Sequence, residues 1–196
     1  LEERGAENIN LVNPTHFTNY IAEAIEIYRP RIPVVWNTHG YERLENLEIA
    51  DKFTDIYLPD LKFIDPLLAK RYTAREDYAE YALPAIKFMA DKPLKFSEGG
   101  KMLSGCIIRH LILPLAVYDT VNVIKFVSAL PESVCFSLMG QYTPYGEISG
   151  FKELQRKITR REYERAVAAV EEYGLKNVFL QDLDSANESF IPSWDY

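Results

Sequence analysis

Cysteine and histidine are scarce in this chain, and both shortages narrow its chemistry. The two cysteines, Cys106 and Cys135, sit far apart inside apolar runs, which suits buried free thiols and excludes a disulfide framework or a metal motif by spacing. None of the three histidines, His16, His39 and His110, belongs to a His-x-His or other tight ligand pair. No run approaches the ~20 apolar residues of a membrane-spanning helix, and the N-terminus lacks the basic-then-apolar pattern of a secretory leader. Cytoplasmic residence, away from any membrane, is the expectation. A basic block is missing too: 22 Lys and Arg against 29 Asp and Glu leave a formal charge of -7. The most basic stretch, 152–165, interleaves Arg156, Lys157, Arg160 and Arg161 with Glu153, Glu162 and Glu164, which fits a solvated helix face and not a nucleic-acid surface. Gly99-Gly100 has no strand before it, no helix after it and no Lys-Ser or Lys-Thr at Walker spacing, so it reads as a turn. There is no internal repeat, low-complexity segment or linker, and no initiator Met. Leu1-Glu2-Glu3-Arg4-Gly5 reads as the end of an amphipathic helix capped by Gly5, with something upstream removed.

What is present is enough apolar residue, 47%, for one substantial core. Ile9 to Val12 reads as a strand, followed by a helix capped by Thr15 or Thr18, carrying Tyr20, Ile21, Ala24, Ile25 and Tyr28 and stopped by Pro30. Val34-Val35-Trp36 and Asp55 to Leu58 are the next strands, with a helix over 41–50 turning Leu44, Leu47 and Ala50 inward. Thr73 to Glu76 has the spacing of a capping box for a long helix with Tyr78, Ala82, Ala85, Ile86 and Met89 inside and Pro84 within it. Residues 93–104 read as a hairpin insertion. Cys106 to Leu113 and Val134 to Met139 are further strands, separated by a helix capped by Asp119 or Thr120 with Val121, Ile124 and Val127 packed. Thr159 to Glu162 opens a last helix with Tyr163, Ala166, Val167 and Val170 inward and Gly174 at its end, before a short strand Val178-Phe179-Leu180. Continuous apolar runs alternating with helices favour a parallel sheet covered on both faces. The expected fold is therefore α/β, a partial, open β/α barrel of about five or six mostly parallel strands. One domain spans 1–181, and 182–196 is a polar, acidic tail.

Five of the apolar runs end on polar clusters: Asn13-Pro14-Thr15-His16, Asn37-Thr38-His39-Gly40, Asp60-Leu61-Lys62, Arg109-His110 and Gln141-Tyr142-Thr143-Pro144. Parallel α/β folds build their sites at strand C-termini, so these are the candidate ligand residues. Asp60 and Lys62 share one side of an extended segment, where Lys62 can meet a carboxylate and Asp60 a cation, a ribose hydroxyl or Lys62 itself. A solvent-facing ion pair is the plain alternative. Arg109 and His110 point to opposite faces of their strand, and a guanidinium in an apolar run needs an anionic partner. His110 alone fits a satisfied core imidazole. Asn13, Asn37 and Thr38 offer neutral hydrogen bonding, and Tyr142 can stack on a base or seal the barrel edge.

In order and placement, segments 9–17, 33–41, 55–63, 105–114 and 137–144 resemble the radical S-adenosylmethionine enzymes, in the branch of pyruvate formate-lyase activating enzyme. The resemblance implies a partial β/α barrel whose first β/α unit, with a CxxxCxxC loop, is missing from these residues. In that family the loop holds a 4Fe-4S cluster that binds S-adenosylmethionine and drives formation of a 5'-deoxyadenosyl radical. Asn13-Pro14-Thr15 stands where the family has Gly-Gly-Glu at the methionyl amino group, and Asn37-Thr38 stands where Asp-Thr-Asn occurs near a cation. Asp60 and Lys62 match a DLK motif, with Lys62 expected near the methionyl carboxylate. Arg109 matches the Arg of an Arg-x-x-x-x-Pro strand ending here at Pro114, and Tyr142 falls where a His contacts the adenosine. The implied partners are a glycyl-radical enzyme or other protein substrate and an electron donor such as flavodoxin or ferredoxin. Two rival readings stand beside it. One is a metal-dependent hydrolase or isomerase barrel using His16, His39 and Asp60; the other is a noncatalytic binding module.

Overall fold

The computed structural model describes residues 2–181 and Leu183. Strand β1 (Ile9–Val12) leads through a 3-10 turn to helix α1 (Thr18–Ile27). Strand β2 (Val34–Thr38), helix α2 (Leu44–Ala50) and strand β3 (Ile56–Pro59) follow. Two helices come next, α3 (Pro66–Thr73) and α4 (Tyr78–Ala90), then a short strand β4 (Lys95–Phe96) and the ten-residue strand β5 (Met102–Leu111). Helix α5 (Val117–Ser128), strand β6 (Cys135–Met139), helix α6 (Arg160–Glu172) and strand β7 (Val178–Leu180) complete the described chain. The strands lie in the order β1-β2-β3-β5-β6-β7 and each neighbouring pair is parallel. β4 alone is antiparallel, pairing with the start of β5. Among the described residues β1 and β7 each have one partner, so the sheet is open, as the run of apolar segments implied.

Register explains which residues face the helices. Trp36 lies beside Tyr57 and Tyr57 beside Cys106, while Ile108 pairs with Phe136 and His110 with Leu138. All are buried. On this face the Trp36 ring meets Phe53 at 6.0 Å, the Tyr57 hydroxyl donates to Asp51 just after α2, and His110 bonds Thr120 of α5. Leu47, Ile86, Met89 and Ile124 from α2, α4 and α5 fill the layer between, each burial stabilising by about 1.5–3 kcal/mol. The opposite face is buried only towards the strand N-termini, at Val35, Ile56 and Cys135, and is half-buried at Asn37, Asp60, Arg109, Leu111 and Met139. Cover on both faces therefore holds for the lower half of the sheet only. Towards the strand C-termini the second face is the wall of an open interior, which is why polar residues replace the β-branched ones there.

Several local expectations are corrected. Thr15 and Thr18 do not cap α1 through their side chains; Thr18 lies in the first turn and donates to the Thr15 carbonyl at 2.8 Å. Thr73 closes a helix instead of opening one. Its hydroxyl donates to the Ala69 carbonyl at 2.6 Å, Ala74 takes a left-handed φ of 59°, and Glu76 pairs with Lys70. The helix α3 that this box obscured begins at Asp65, whose carboxylate accepts from the Leu67 and Leu68 amides ahead of Pro66, the usual cap followed by proline. Asp119 and Thr120 lie inside the first turn of α5 and reach other elements, leaving Ala116 at the cap. Leu44 is exposed, while Leu47 and Ala50 are buried. The second box is present as read: Thr159 accepts from the Glu162 amide and Glu162 from the Thr159 amide. Residues 2–4 form a single 3-10 turn ended by Gly5 at φ 80°. Leu1 and most of the C-terminal tail lie outside the described residues.

Candidate functional site

Where β3 ends, the chain is held from three sides. The Asp60 amide donates to the Thr38 carbonyl at 2.8 Å, the Leu61 amide to the Arg109 carbonyl at 2.9 Å, and the Lys62 amide to the Tyr78 hydroxyl at 3.0 Å. That hydroxyl in turn faces the carbonyls of His39 and Asp60, both at 2.9 Å. Leu61 is fully buried, so alternation sends Asp60 and Lys62 together to the open interior. Asp60 also bridges Arg109 in parallel register, which sets the guanidinium beside the carboxylate.

The side chains form one charged group. Lys62 Nζ lies 2.9 Å from Asp60 Oδ2, and Arg109 Nη2 lies 2.8 Å from Asp60 Oδ1 and donates to Asn37 Oδ1 at 2.7 Å. Arg109 Nε is buried and meets no acceptor among the described residues, although a buried guanidinium N–H ordinarily finds one. These groups open on a cavity of about 400 Å³, whose polar side is Asp60, Lys62 and Arg109 and whose apolar side includes Leu111, Leu113 and Met139. A small apolar cavity with a few convergent polar groups is the usual form of a small-molecule site.

The other expected residues are placed differently. The Thr15 and Thr38 hydroxyls both donate to Glu42 Oε1, at 2.7 and 2.6 Å, away from the cavity. Asn13 takes a left-handed φ of 48°, is exposed, and binds the Asn37 carbonyl through its amide. The Tyr142 hydroxyl donates to the Leu154 carbonyl at 2.8 Å, and Tyr142 does not line the cavity. His16 is exposed, His39 Nδ1 accepts from the Tyr41 amide, and His110 is buried. Among the described residues no three His, Cys, Asp or Glu side chains converge to hold a metal ion, so the His16, His39 and Asp60 set has no centre here.

His110 is the core imidazole that its setting allowed. Its Nδ1 lies 2.7 Å from the Leu61 carbonyl, which fixes the proton on Nδ1 and leaves Nε2 to accept from Thr120 at 3.0 Å. Burial pushes its pKa down to about 4. Two buried carboxylates lie near the site, Glu42, which no sequence expectation named, and Asp119, which was expected only as a helix cap. Glu42 is 2% exposed and gathers Thr15, Thr38 and the Trp36 indole N–H on Oε1. Asp119 is 1% exposed, its carboxyl pushed up by burial, and it accepts the Ile64 and Asp65 amides just beyond Lys62. Nothing in the sequence marks either as buried, because an isolated acid between strand and helix is ordinarily exposed.

No family model matches the chain. It is 25% identical over 177 residues to an uncharacterised protein of Methanocaldococcus jannaschii, a match covering 89% of this chain and 49% of that protein. The chain thus spans about half the length of the curated relative it matches. Among solved structures, a domain of pyruvate-formate lyase-activating enzyme from Bacteroides vulgatus is similar with a TM-score of 0.63 at 14% identity, over 89% of this chain and 98% of that domain. The chain shares the fold of that domain.

Proposed function

We propose that these residues are the S-adenosylmethionine-binding core of a radical enzyme resembling pyruvate formate-lyase activating enzyme, with residues 1–181 as a single barrel domain. The reading rests on the shared fold and, above all, on one observation: Lys62 and Arg109, from the ends of adjacent strands, present two cations to a cavity also lined by Leu111, Leu113 and Met139. Lys62 and Arg109 supply the positive charge a methionyl carboxylate needs. Leu111, Leu113 and Met139 offer the apolar surface a nucleoside needs. Asn37 orients Arg109, and Tyr78 and Asp119 brace the loop that carries Lys62.

S-adenosylmethionine supplies radical chemistry for hydrogen abstraction when it is bound to a reduced 4Fe-4S cluster. The cluster does not fit this chain's own thiols. Cys106 and Cys135 point to opposite faces of the sheet, both are buried, and burial pushes both thiols up, away from the ligating thiolate. The cluster ligands are therefore assigned to polypeptide outside these residues, and the chain's own part is to bind and orient. A protein substrate such as a glycyl-radical enzyme, and flavodoxin or ferredoxin as electron donor, belong to the same proposal.

Titrating the purified chain with S-adenosylmethionine in a calorimeter tests it. Saturable binding is expected, weakened about tenfold or more in Lys62→Met and in Arg109→Met, with circular dichroism unchanged. Absence of saturable binding, or equal affinity in both variants, overturns the reading.

A further inference from the structure

We propose that Asp60 is an internal stand-in for the carboxylate ligand of this site, so that an incoming carboxylate must take a cation away from it. This rests on the cavity being a carboxylate site, as proposed above, and adds what the ligand displaces. Asp60 serves both cations at once and satisfies neither fully. It gives one oxygen to each, Oδ1 to Arg109 and Oδ2 to Lys62. Arg109 spends a single nitrogen, Nη2, on both Asp60 and Asn37, while Nε stays buried without an acceptor. A guanidinium paired through one nitrogen forgoes the parallel two-point contact that makes Arg–carboxylate pairs strong.

The backbone determines how the exchange can happen. Asp60 is tied to Thr38 through its amide and to the Tyr78 hydroxyl through its carbonyl, and the next amide is tied to Arg109. Only its side chain is free to turn. Lys62 is the more exposed partner, its side chain 39% exposed against 26% for Arg109, and a flexible ammonium is more easily re-aimed than a planar fork. The exchange therefore begins at Lys62, which swings from Asp60 to the ligand. Arg109 stays anchored by Asn37. Two cations and one anion leave the cavity mouth with a net positive charge, the sign a carboxylate requires. The apolar wall of Leu111, Leu113 and Met139 adds a preference for a carboxylate carrying a short apolar body.

Hexanoate is the probe, because it has the carboxylate and the apolar body without the nucleoside. Calorimetric titration of the chain is expected to show weak saturable binding that tightens about tenfold in Asp60→Asn, an isosteric change that removes the competing charge. Adding Lys62→Met to that variant is expected to abolish the gain. In the unaltered protein the Asp60 carboxyl carbon resonance is expected to shift in step with hexanoate occupancy, a readout independent of any variant. Equal or weaker hexanoate binding in Asp60→Asn overturns the proposal, as does hexanoate binding that leaves the Asp60 resonance still, or no hexanoate binding to either protein. If hexanoate behaves as expected while S-adenosylmethionine fails to bind, the displacement stands and the nucleotide reading falls.

Discussion

At the scale of single residues, Gly40 and His110 show how tightly the strand ends are built. Gly40 stands at φ 81°, and a Cβ there would lie 2.3 Å from the Asp60 carbonyl oxygen, so only glycine lets the β2 exit pass that close to the β3 exit. Gly40→Ala is expected to lower stability by about 2–4 kcal/mol in urea unfolding. His110 makes stability depend on pH. Its ordinary pKa of 6.5 falls to about 4 in the fold, so between those values the unfolded chain binds a proton that the folded chain refuses. The contribution is complete above pH 6.5 and is lost as pH falls towards 4, a loss of about 3 kcal/mol. Urea midpoints taken across that range should show the decline, and His110→Gln should flatten it. Arg109 was legible because a guanidinium in an apolar strand must find an acid, and Asp60 was the acid at the neighbouring strand end. Thr15 and Thr38 turn to Glu42, and in sequence a hydroxyl at a strand end looks the same whether it faces a ligand or a buried acid.

Among elements, helix starts decided what was legible. The box at Thr159 succeeded because Glu162 is used by both sides of the motif. It also accepts from Arg156 and from the Leu115 amide, and it ties α6 to the loop before α5, where Leu115 sits at φ 61°. Glu162→Ala is expected to lower stability by about 2–4 kcal/mol, more than an ordinary cap loss, because several donors lose their acceptor together. Denaturant titration of the variant measures it. The matching pattern at Thr73 failed because the four-residue spacing has no direction of its own: Thr73 bonds backwards to Ala69 and ends α3. The Asp65-Pro66 pair is the better signal, since it carries both a cap and a first-turn proline.

For the whole molecule, β1 to β3 and β5 to β7 were readable as apolar runs, and their alternation with helices gave the parallel, open sheet. Which face stays uncovered was not readable, because it depends on how far the sheet curves and where it stops. One cluster of buried apolar residues in the described chain joins every helix from α2 to α6 to the sheet. Urea unfolding is therefore expected to show a single transition with a slope of about 2–3 kcal/mol/M. Tryptophan emission, to which buried Trp36 contributes, and the far-ultraviolet dichroism should coincide, and two separated transitions would divide the domain. The order β1-β2-β3-β5-β6-β7 has a further consequence for biosynthesis. Each strand docks on the one translated before it, apart from the small antiparallel arm, so no strand has to slide between two that are already joined. As the ribosome releases the polypeptide, the sheet can lengthen at one growing edge, like a row laid in sequence.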